Sequence, residues 1–224
     1  SSEATADFDI NSITTPTNGT LSNFNQVSSS VYTATFTPTT QGSCSINVSA
    51  GSYTDAGGNS NLDSNTFTWT FDSVNPTMAI TATKQNGTTN IADGSTTNDS
   101  TIILKFTSSE ATSNFIASDI VVTNGSISNF TGTSSTVYTV NFTAAASGNC
   151  TIHVPSGKYQ DTAGNNNAAS PTFTWISNTT RPDMTITAEG AASNSNISNG
   201  STISEPSLLL TFTSTVATTN RSEE

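Results

Sequence analysis

The residues that most often carry out catalysis are scarce in this chain. His153 is the only histidine, and the chain has only two cysteines, Cys44 and Cys150. A zinc site needs several His or Cys ligands, and a Ser-His-Asp triad needs a histidine beside its nucleophile. Glycoside hydrolysis needs two carboxylates in one cleft, and nothing in the sequence brings two together. The sequence therefore predicts a protein that is not an enzyme and that needs no cofactor for catalysis.

The composition excludes further classes of partner and indicates the fold class. The net charge is −11 with only five Lys and Arg, and these are scattered, which predicts no nucleic-acid partner. No apolar run reaches the 18 or more residues of a membrane span. Ser and Thr supply 80 of 224 residues, and Val, Ile, Phe and Tyr alternate with them between Gly, Asn and Asp punctuation. This pattern is typical of short strands joined by tight turns, and we predict an all-β fold.

An internal repeat organises nearly the whole chain. Residues 19–69 align without a gap on residues 125–175 at a spacing of 106, with G-(T/S)-(L/I)-S-N-F, V-Y-T, G-x-C-x-I-x-V and Y-x-D-x-x-G-N in both. The period extends outward, since SSEAT occurs at residues 1–5 and 108–112, and PTMAITAT at 76–83 matches PDMTITAE at 182–189. A unit of about 106 residues has the size of an immunoglobulin-like sandwich.

These motifs resemble the bacterial Ig-like repeats of long surface adhesins. The resemblance implies tandem β-sandwiches and an extracellular, cell-surface location. It also implies calcium at module junctions in some members. It does not indicate a ligand for the surface.

The repeat divides the chain into unequal parts. Residues 1–72 correspond to a module without its first two strands, and residues 76–177 correspond to a complete module. Residues 182–214 correspond to the first two strands of a third module, and residues 215–224 diverge from the repeat. The missing part of the first module thus has the same content as residues 182–214.

This division leads to a hypothesis about assembly. An open sandwich edge is an aggregation hazard unless it is filled, and β-strand complementation by another chain fills it. We expect residues 182–214 to complete the first module of another copy, giving a head-to-tail homopolymer. The apolar side chains expected at this joint are Met184, Ile186, Leu208, Leu210 and Phe212. The alternative is a spacer segment of a long tandem-repeat adhesin, in which neighbouring repeats supply these strands.

Cys44 and Cys150 occupy equivalent positions in C-S-I-N-V and C-T-I-H-V. Each shares a strand face with the apolar residues two and four positions later, which predicts a buried core thiol. Because they belong to different modules, we expect no bridge between them within one chain, and an inter-chain disulfide is the alternative.

The Y-x-D-x-x-G-N motif places an Asp and an Asn four residues apart in a turn. The family resemblance suggests calcium there, whereas an Asx-turn in which the side chain caps its own backbone is the structural alternative, which we favour. Calcium needs six to eight oxygens, more than one such turn offers. The linker carries Asp72, but its counterpart is Asn178. The weak calcium candidates are Asp55, Asn59, Asp72, Asp161 and Asn165.

Sequons for N-linked glycans are frequent. We expect several to carry covalent glycans if the source has the transferase, with O-linked sugar on surface Ser and Thr as a further expectation and an unmodified polar surface as the alternative. Asn-Gly turns and outward strand positions are expected to expose them. The candidates are Asn18, Asn47, Asn86, Asn98, Asn124, Asn129, Asn141, Asn149, Asn178, Asn196 and Asn199, with a twelfth sequon at Asn220.

Overall fold

The computed structural model describes residues 1–5, 7–204 and 206–215, which form β-strands joined by turns. Asn220 and most of the divergent segment 215–224 lie outside the described residues. Two short 3-10 turns occur, at Ile10–Ser12 and Ala117–Asp119. The strands are β1 (Gly19–Ser28), β2 (Val31–Pro38), β3 (Gly42–Ile46), β4 (Phe67–Phe71), β5 (Met78–Lys84), β6 (Asn90–Ile91), β7 (Thr96–Thr97), β8 (Thr101–Ser108), β9 (Val121–Thr123), β10 (Gly125–Gly132), β11 (Val137–Ala144), β12 (Gly148–His153), β13 (Phe173–Ser177), β14 (Met184–Gly190), β15 (Asn196–Ile197) and β16 (Leu208–Ser214).

The middle module, residues 76–177, is a two-layer sandwich. One sheet has the strand order β10-β11-β8-β5-β6 and the other β7-β13-β12-β9. Only the short pairing of β13 with β7 is parallel. The all-β, immunoglobulin-like fold predicted from the sequence is therefore confirmed.

Strict alternation of side chains builds the core of the middle module. On β8, Ile102, Leu104 and Phe106 are fully buried while Lys105 between them is exposed. Successive strand residues point to opposite faces, so every second residue reaches the space between the sheets. Trp175 of β13 is likewise fully buried.

The first unit, residues 1–72, contains only part of this arrangement. β1 pairs with β2, and β3 pairs with β4, as two separate two-stranded sheets. Cys44 lies opposite Trp69 as Cys150 lies opposite Trp175, so the two modules share their register. Asn23 and Asn129 have positive φ angles of 52° and 54° at equivalent register shifts in β1 and β10.

The third unit, residues 182–214, is a three-stranded sheet with the order β15-β14-β16. It corresponds to strands β6, β5 and β8 of the middle module and to nothing else in that module. Within the described residues, no helix has the length and apolar character needed to cross a membrane.

Candidate functional site

The first unit has an open sheet edge at β2. In the middle module, β11 is hydrogen-bonded to β10 on one side and to β8 on the other. Its equivalent β2 pairs with β1 only, among the residues that the structure describes. Unpaired backbone N–H and C=O groups along such an edge are a template for another strand.

The interior face of the first unit is also uncovered. Phe173 is 5% exposed in the middle module, whereas its equivalent Phe67 is 61% exposed. Trp175 is fully buried, whereas Trp69 is only half-buried. The sequences are alike here, so the difference in burial comes from the strands that the first unit lacks.

The third unit carries those strands in the same register. β14 and β16 pair Ile186 with Phe212 and Ala188 with Leu210. The middle module pairs Ile80 with Phe106 and Ala82 with Leu104, each 106 residues earlier. The short strand repeats this agreement, since Ala188 pairs with Ile197 as Ala82 pairs with Ile91.

The face of this sheet that would enter a sandwich is exposed. Leu210 and Phe212 are 48% and 60% exposed, whereas their equivalents Leu104 and Phe106 are fully buried. The structure thus places all five side chains named for the joint on one exposed face of the β14–β16 pair. These exposed residues are Met184, Ile186, Leu208, Leu210 and Phe212.

A cavity of about 260 Å³ in the first unit corresponds to space that is filled in the middle module. Its lining includes Phe8, Phe24 and Tyr32. In the middle module, the ring of Phe106 lies 5.9 Å from Phe115, the equivalent of Phe8. The equivalent of Phe106 in the third unit is Phe212.

A family profile matches the first and the middle unit of this chain. The sequence profile of the family described as "Bacterial Ig-like domain" matches residues 1–70 and again residues 72–175. The chain belongs to this bacterial Ig-like family. No curated protein matches it.

Among solved structures, InvD of Yersinia pseudotuberculosis is similar, with 24% sequence identity and a TM-score of 0.36. The match covers 78% of this chain and 51% of the InvD chain, so this chain spans about half the length of InvD. Bacterial Ig-like domains are structural and adhesive modules of surface and extracellular proteins.

A cluster of carboxylates lies where the first bacterial Ig-like unit joins the second. Possible ligand oxygens of Asp72, Glu110 and Asp161 all lie within 4.8 Å of one another. Asn165 Nδ2 also donates to the backbone oxygen of Asp72 at 3.2 Å. The pKa of Glu110 is raised, first by burial and then by the charges of Asp72 and Asp161. Glu110 was not among the calcium candidates, because no motif links it to residues so far away in sequence.

The Asp and Asn of the Y-x-D-x-x-G-N motif close an Asx-turn in both modules. Asp161 Oδ1 accepts from the backbone N–H of Ala163 at 2.8 Å and of Asn165 at 2.9 Å, and Oδ2 accepts from Asn165 Nδ2 at 2.9 Å. Asp55 and Asn59 repeat this arrangement. The hydrogen bond from the Asn59 side chain is the largest cause of the lowered pKa of Asp55. For Asp161, burial is the largest single influence and raises the pKa, but the turn hydrogen bonds together outweigh it and leave the pKa lowered. The Asx-turn favoured from the sequence is thus present in both modules, and calcium at either turn stays the untested alternative.

The sequon asparagines differ in their exposure and in whether their side-chain amide nitrogens donate hydrogen bonds. Asn18 and Asn124, expected at exposed turns, are half-buried, because their Nδ2 atoms donate to Thr40 O at 2.7 Å and Ala146 O at 3.1 Å. Asn86 Nδ2 donates to the Thr89 hydroxyl. Asn47 and Asn141 are also half-buried. The exposed sequon residues are Asn86, Asn98, Asn129, Asn149, Asn178, Asn196 and Asn199.

Both thiols are buried in their own modules. Cys44 and Cys150 are free cysteines with no exposed surface. Burial is the largest cause of the raised pKa of Cys150. The prediction that both thiols are buried is therefore confirmed, and an inter-chain disulfide stays an untested alternative.

Proposed function

We propose that this chain is a structural subunit of an extracellular filament, in which β14 and β16 of one copy complete the first unit of the next. Its task is mechanical, namely to extend a surface appendage with rigid sandwiches. The coarser assignment to structural or adhesive surface modules follows from the family. The assembly rests on the observation that β14, β15 and β16 reproduce the register of β5, β6 and β8.

The middle module supplies a template for the joint. There, β8 pairs with β11 so that Leu104 lies opposite Val140 and Ile102 opposite Phe142. The same register in the joint sets Leu210 opposite Ala34 and Leu208 opposite Phe36. Each large apolar side chain transferred from water into such a core contributes ~1.5–3 kcal/mol.

The joint links different surfaces on the two copies. One copy uses its third unit and the other its first unit, so the interface is heterologous and each copy keeps one unused end. Such an interface continues as a filament unless its rotation closes a ring. In a longer polypeptide with further repeats, neighbouring repeats would supply the same strands, and the chain would be a spacer segment of an adhesin.

Glycans on exposed sequons form part of this proposal. Charged residues are only 9% of the chain, so its surface has few groups that favour solubility. N-linked glycans at positions such as Asn149 and Asn196 would shield the sheets and resist proteolysis.

The test is assembly of the purified 224-residue chain, followed by sedimentation velocity and electron microscopy. We expect the unaltered chain to form filaments, because both of its open surfaces are present. The double variant Leu210→Asp plus Phe212→Asp places charges on the entering face and should remain monomeric. Leu209→Asp plus Thr211→Asp is the matched control, because these residues face the other side of β16, and it should still assemble.

Near-ultraviolet circular dichroism checks that the middle module stays folded in every variant, because Trp175 reports on its core. Filaments from the Leu210→Asp plus Phe212→Asp variant would show that the joint lies elsewhere. A monomeric unaltered chain would reject assembly between copies and leave the adhesin-spacer alternative.

A further inference from the structure

The first unit has a second cavity, of about 590 Å³, at the end where a preceding linker would enter. Its apolar lining includes Phe8, Val48 and Tyr53. Its acidic lining consists of Glu3, Asp55 and Asp63. A cavity that is part apolar and part acidic suits a segment that carries both an apolar side chain and a positive charge.

The middle module shows which segment occupies this place in a complete sandwich. Pro76 and Met78, which precede and begin β5, are buried there, Met78 to 2% exposure. The carbonyl oxygen of Pro76 accepts a hydrogen bond from Ala168 N at 2.9 Å. The equivalent of Ala168 in the first unit is Leu62, which is 86% exposed. Within the described part of the chain, the Leu62 N–H has no acceptor, so the binding group for a proline carbonyl is present and open.

The equivalent segment in the third unit is Arg181–Met184, and its charges differ from those of the middle linker. Arg181 stands where the middle linker has Asn75, and Asn178 stands where it has Asp72. The receiving cavity differs in the opposite sense, because Asp63 stands where the middle module has Ala169. Asp183 also stands where the middle linker has Thr77, so residues 178–184 are more positive than residues 72–78 by one unit of charge, while the acceptor has gained a negative charge.

We propose that this cavity binds the Arg181–Met184 segment of a second copy, with Arg181 against its carboxylates. This inference rests on the proposed strand complementation and adds the partner segment and its charge selectivity. Met184 occupies the apolar part, as Met78 does in the middle module. The carbonyl oxygen of Pro182 accepts a hydrogen bond from Leu62 N. Because Arg181 precedes Pro182 and Asp63 follows Leu62, this hydrogen bond holds Arg181 near Asp63.

The charges make this joint different from the junction inside the chain. At the internal junction, Asp72 approaches Glu110 and Asp161, and like charges oppose one another. At the joint between copies, the acceptor copy supplies Glu3 and Asp55, the equivalents of Glu110 and Asp161. The donor copy supplies Arg181, and it has the neutral Asn178 at the position equivalent to Asp72. The tail is therefore matched to the acidic first unit better than the internal linker would be.

The experiment measures the critical concentration of filament assembly by sedimentation, using full-length variants. Arg181→Glu should raise the critical concentration roughly five- to twentyfold, because it sets a like charge against the acidic cavity. Lys158→Glu is the matched control, since it makes the same charge change on an exposed residue of the middle module. It should leave the critical concentration within about twofold. Added salt should weaken assembly of the unaltered chain and strengthen that of Arg181→Glu, because salt screens exposed charges.

A second pair of variants tests whether Arg181 acts through the cavity. In the background Glu3→Gln plus Asp63→Asn, the effect of Arg181→Glu should shrink to that of Lys158→Glu, because coupled sites are not additive. Equal critical concentrations for Arg181→Glu and Lys158→Glu, or an undiminished effect in the neutralised background, would overturn this inference while leaving strand complementation intact. Failure of the unaltered chain to assemble would instead reject the proposed function itself.

Discussion

Phe8 and Tyr53 meet edge to face, with ring centroids 5.0 Å apart and ring planes inclined by 79°. Their equivalents in the complete module, Phe115 and Tyr159, are 5.2 Å apart and inclined by 67°. The aromatic cluster of the open first unit thus already has the geometry of a filled sandwich. A preformed acceptor loses little conformational freedom when strands enter, which favours tight joints.

The register of the joint can be tested by a disulfide between copies. In the middle module Thr139 lies opposite Lys105, which sets Thr33 of one copy opposite Thr211 of the next. Both are exposed, on the outer face of their sheets. We expect Thr33→Cys plus Thr211→Cys to give a ladder of covalent oligomers on non-reducing gels, because directly opposed residues bring their Cβ atoms within disulfide range.

An offset pair is the control for this prediction. Thr33→Cys plus Leu209→Cys places the thiols on diagonal positions, where the Cβ atoms are too far apart for a ready disulfide. A stronger ladder from the offset pair would show that the strands enter in another register.

A second prediction concerns Gly125, which lies under an aromatic ring. A Cβ atom at this position would approach Phe142 to 2.3 Å and the carbonyl oxygen of Thr143 to 2.6 Å. The backbone oxygen cannot move aside, so Gly125→Ala should lower the free energy of unfolding of the middle module by ~1–3 kcal/mol. Denaturant melts in the monomeric Leu210→Asp plus Phe212→Asp background measure this.

Gly132→Ala is the milder comparison for this prediction. Its Cβ atom would meet the ring edge of Tyr138 at 3.2 Å, and the backbone oxygen of Ser134 at 3.9 Å is at an ordinary contact distance. Gly132→Ala should therefore cost clearly less than Gly125→Ala. Equal losses would mean that the glycine under Phe142 is not required by packing.

The pKa of Glu110 gives a prediction about pH. A raised pKa means that the folded state binds the proton more tightly than the unfolded state, whose ordinary value is 4.5. The contribution of Glu110 to stability is therefore greatest below that value and is lost as pH rises through the folded pKa. With a calcium chelator at neutral pH, Glu110→Gln should raise the melting temperature by roughly 1–3 °C, since partial exposure screens the repulsion.

Two comparisons check this interpretation of Glu110. The gain in melting temperature should disappear at pH values well below the ordinary pKa of a glutamate, where the unaltered Glu110 side chain is protonated and uncharged like Gln. With both variants made in the monomeric Leu210→Asp plus Phe212→Asp background, Glu3→Gln is the matched control, because Glu3 lies beside Asp55 but has no counterpart of Asp72 in the described residues. A gain that persists unchanged at acidic pH would contradict electrostatic repulsion as its cause.

The repeat allowed the fold to be predicted from the sequence. It did not predict which residues far apart in the sequence meet in the folded chain. Equivalent positions at a spacing of 106 predicted two similar modules, and alternation correctly predicted that both thiols are buried. Periodicity shows which residues share a face but not which loops meet. Glu110 therefore escaped the calcium candidates, although the folded chain brings it to Asp72 and Asp161.

The Asn-Gly turns show a second limit of the sequence. The pattern identified a turn at Asn124, but the side-chain amide nitrogen of this residue also donates a hydrogen bond to the backbone oxygen of Ala146. Its φ of 51° is in the left-handed region, which Asn tolerates better than most residues. A sequon at a turn therefore does not have to be accessible.

This distinction between sequons gives the last prediction. When the chain is secreted from a host with an oligosaccharyltransferase, Asn149 should accept a glycan because it is exposed and its Nδ2 has no acceptor among the described residues. Intact mass should fall by one glycan for Asn149→Gln and should not change in this way for Asn124→Gln. Asn124→Gln should instead lower the melting temperature, because it removes the Nδ2 hydrogen bond and places Gln at a positive φ. Thr151→Ala, which destroys the sequon but keeps Asn149, is the matched control and should lose the same mass as Asn149→Gln. A glycan mapped to Asn124 would show that its hydrogen bond to Ala146 O is not made while the chain is being modified.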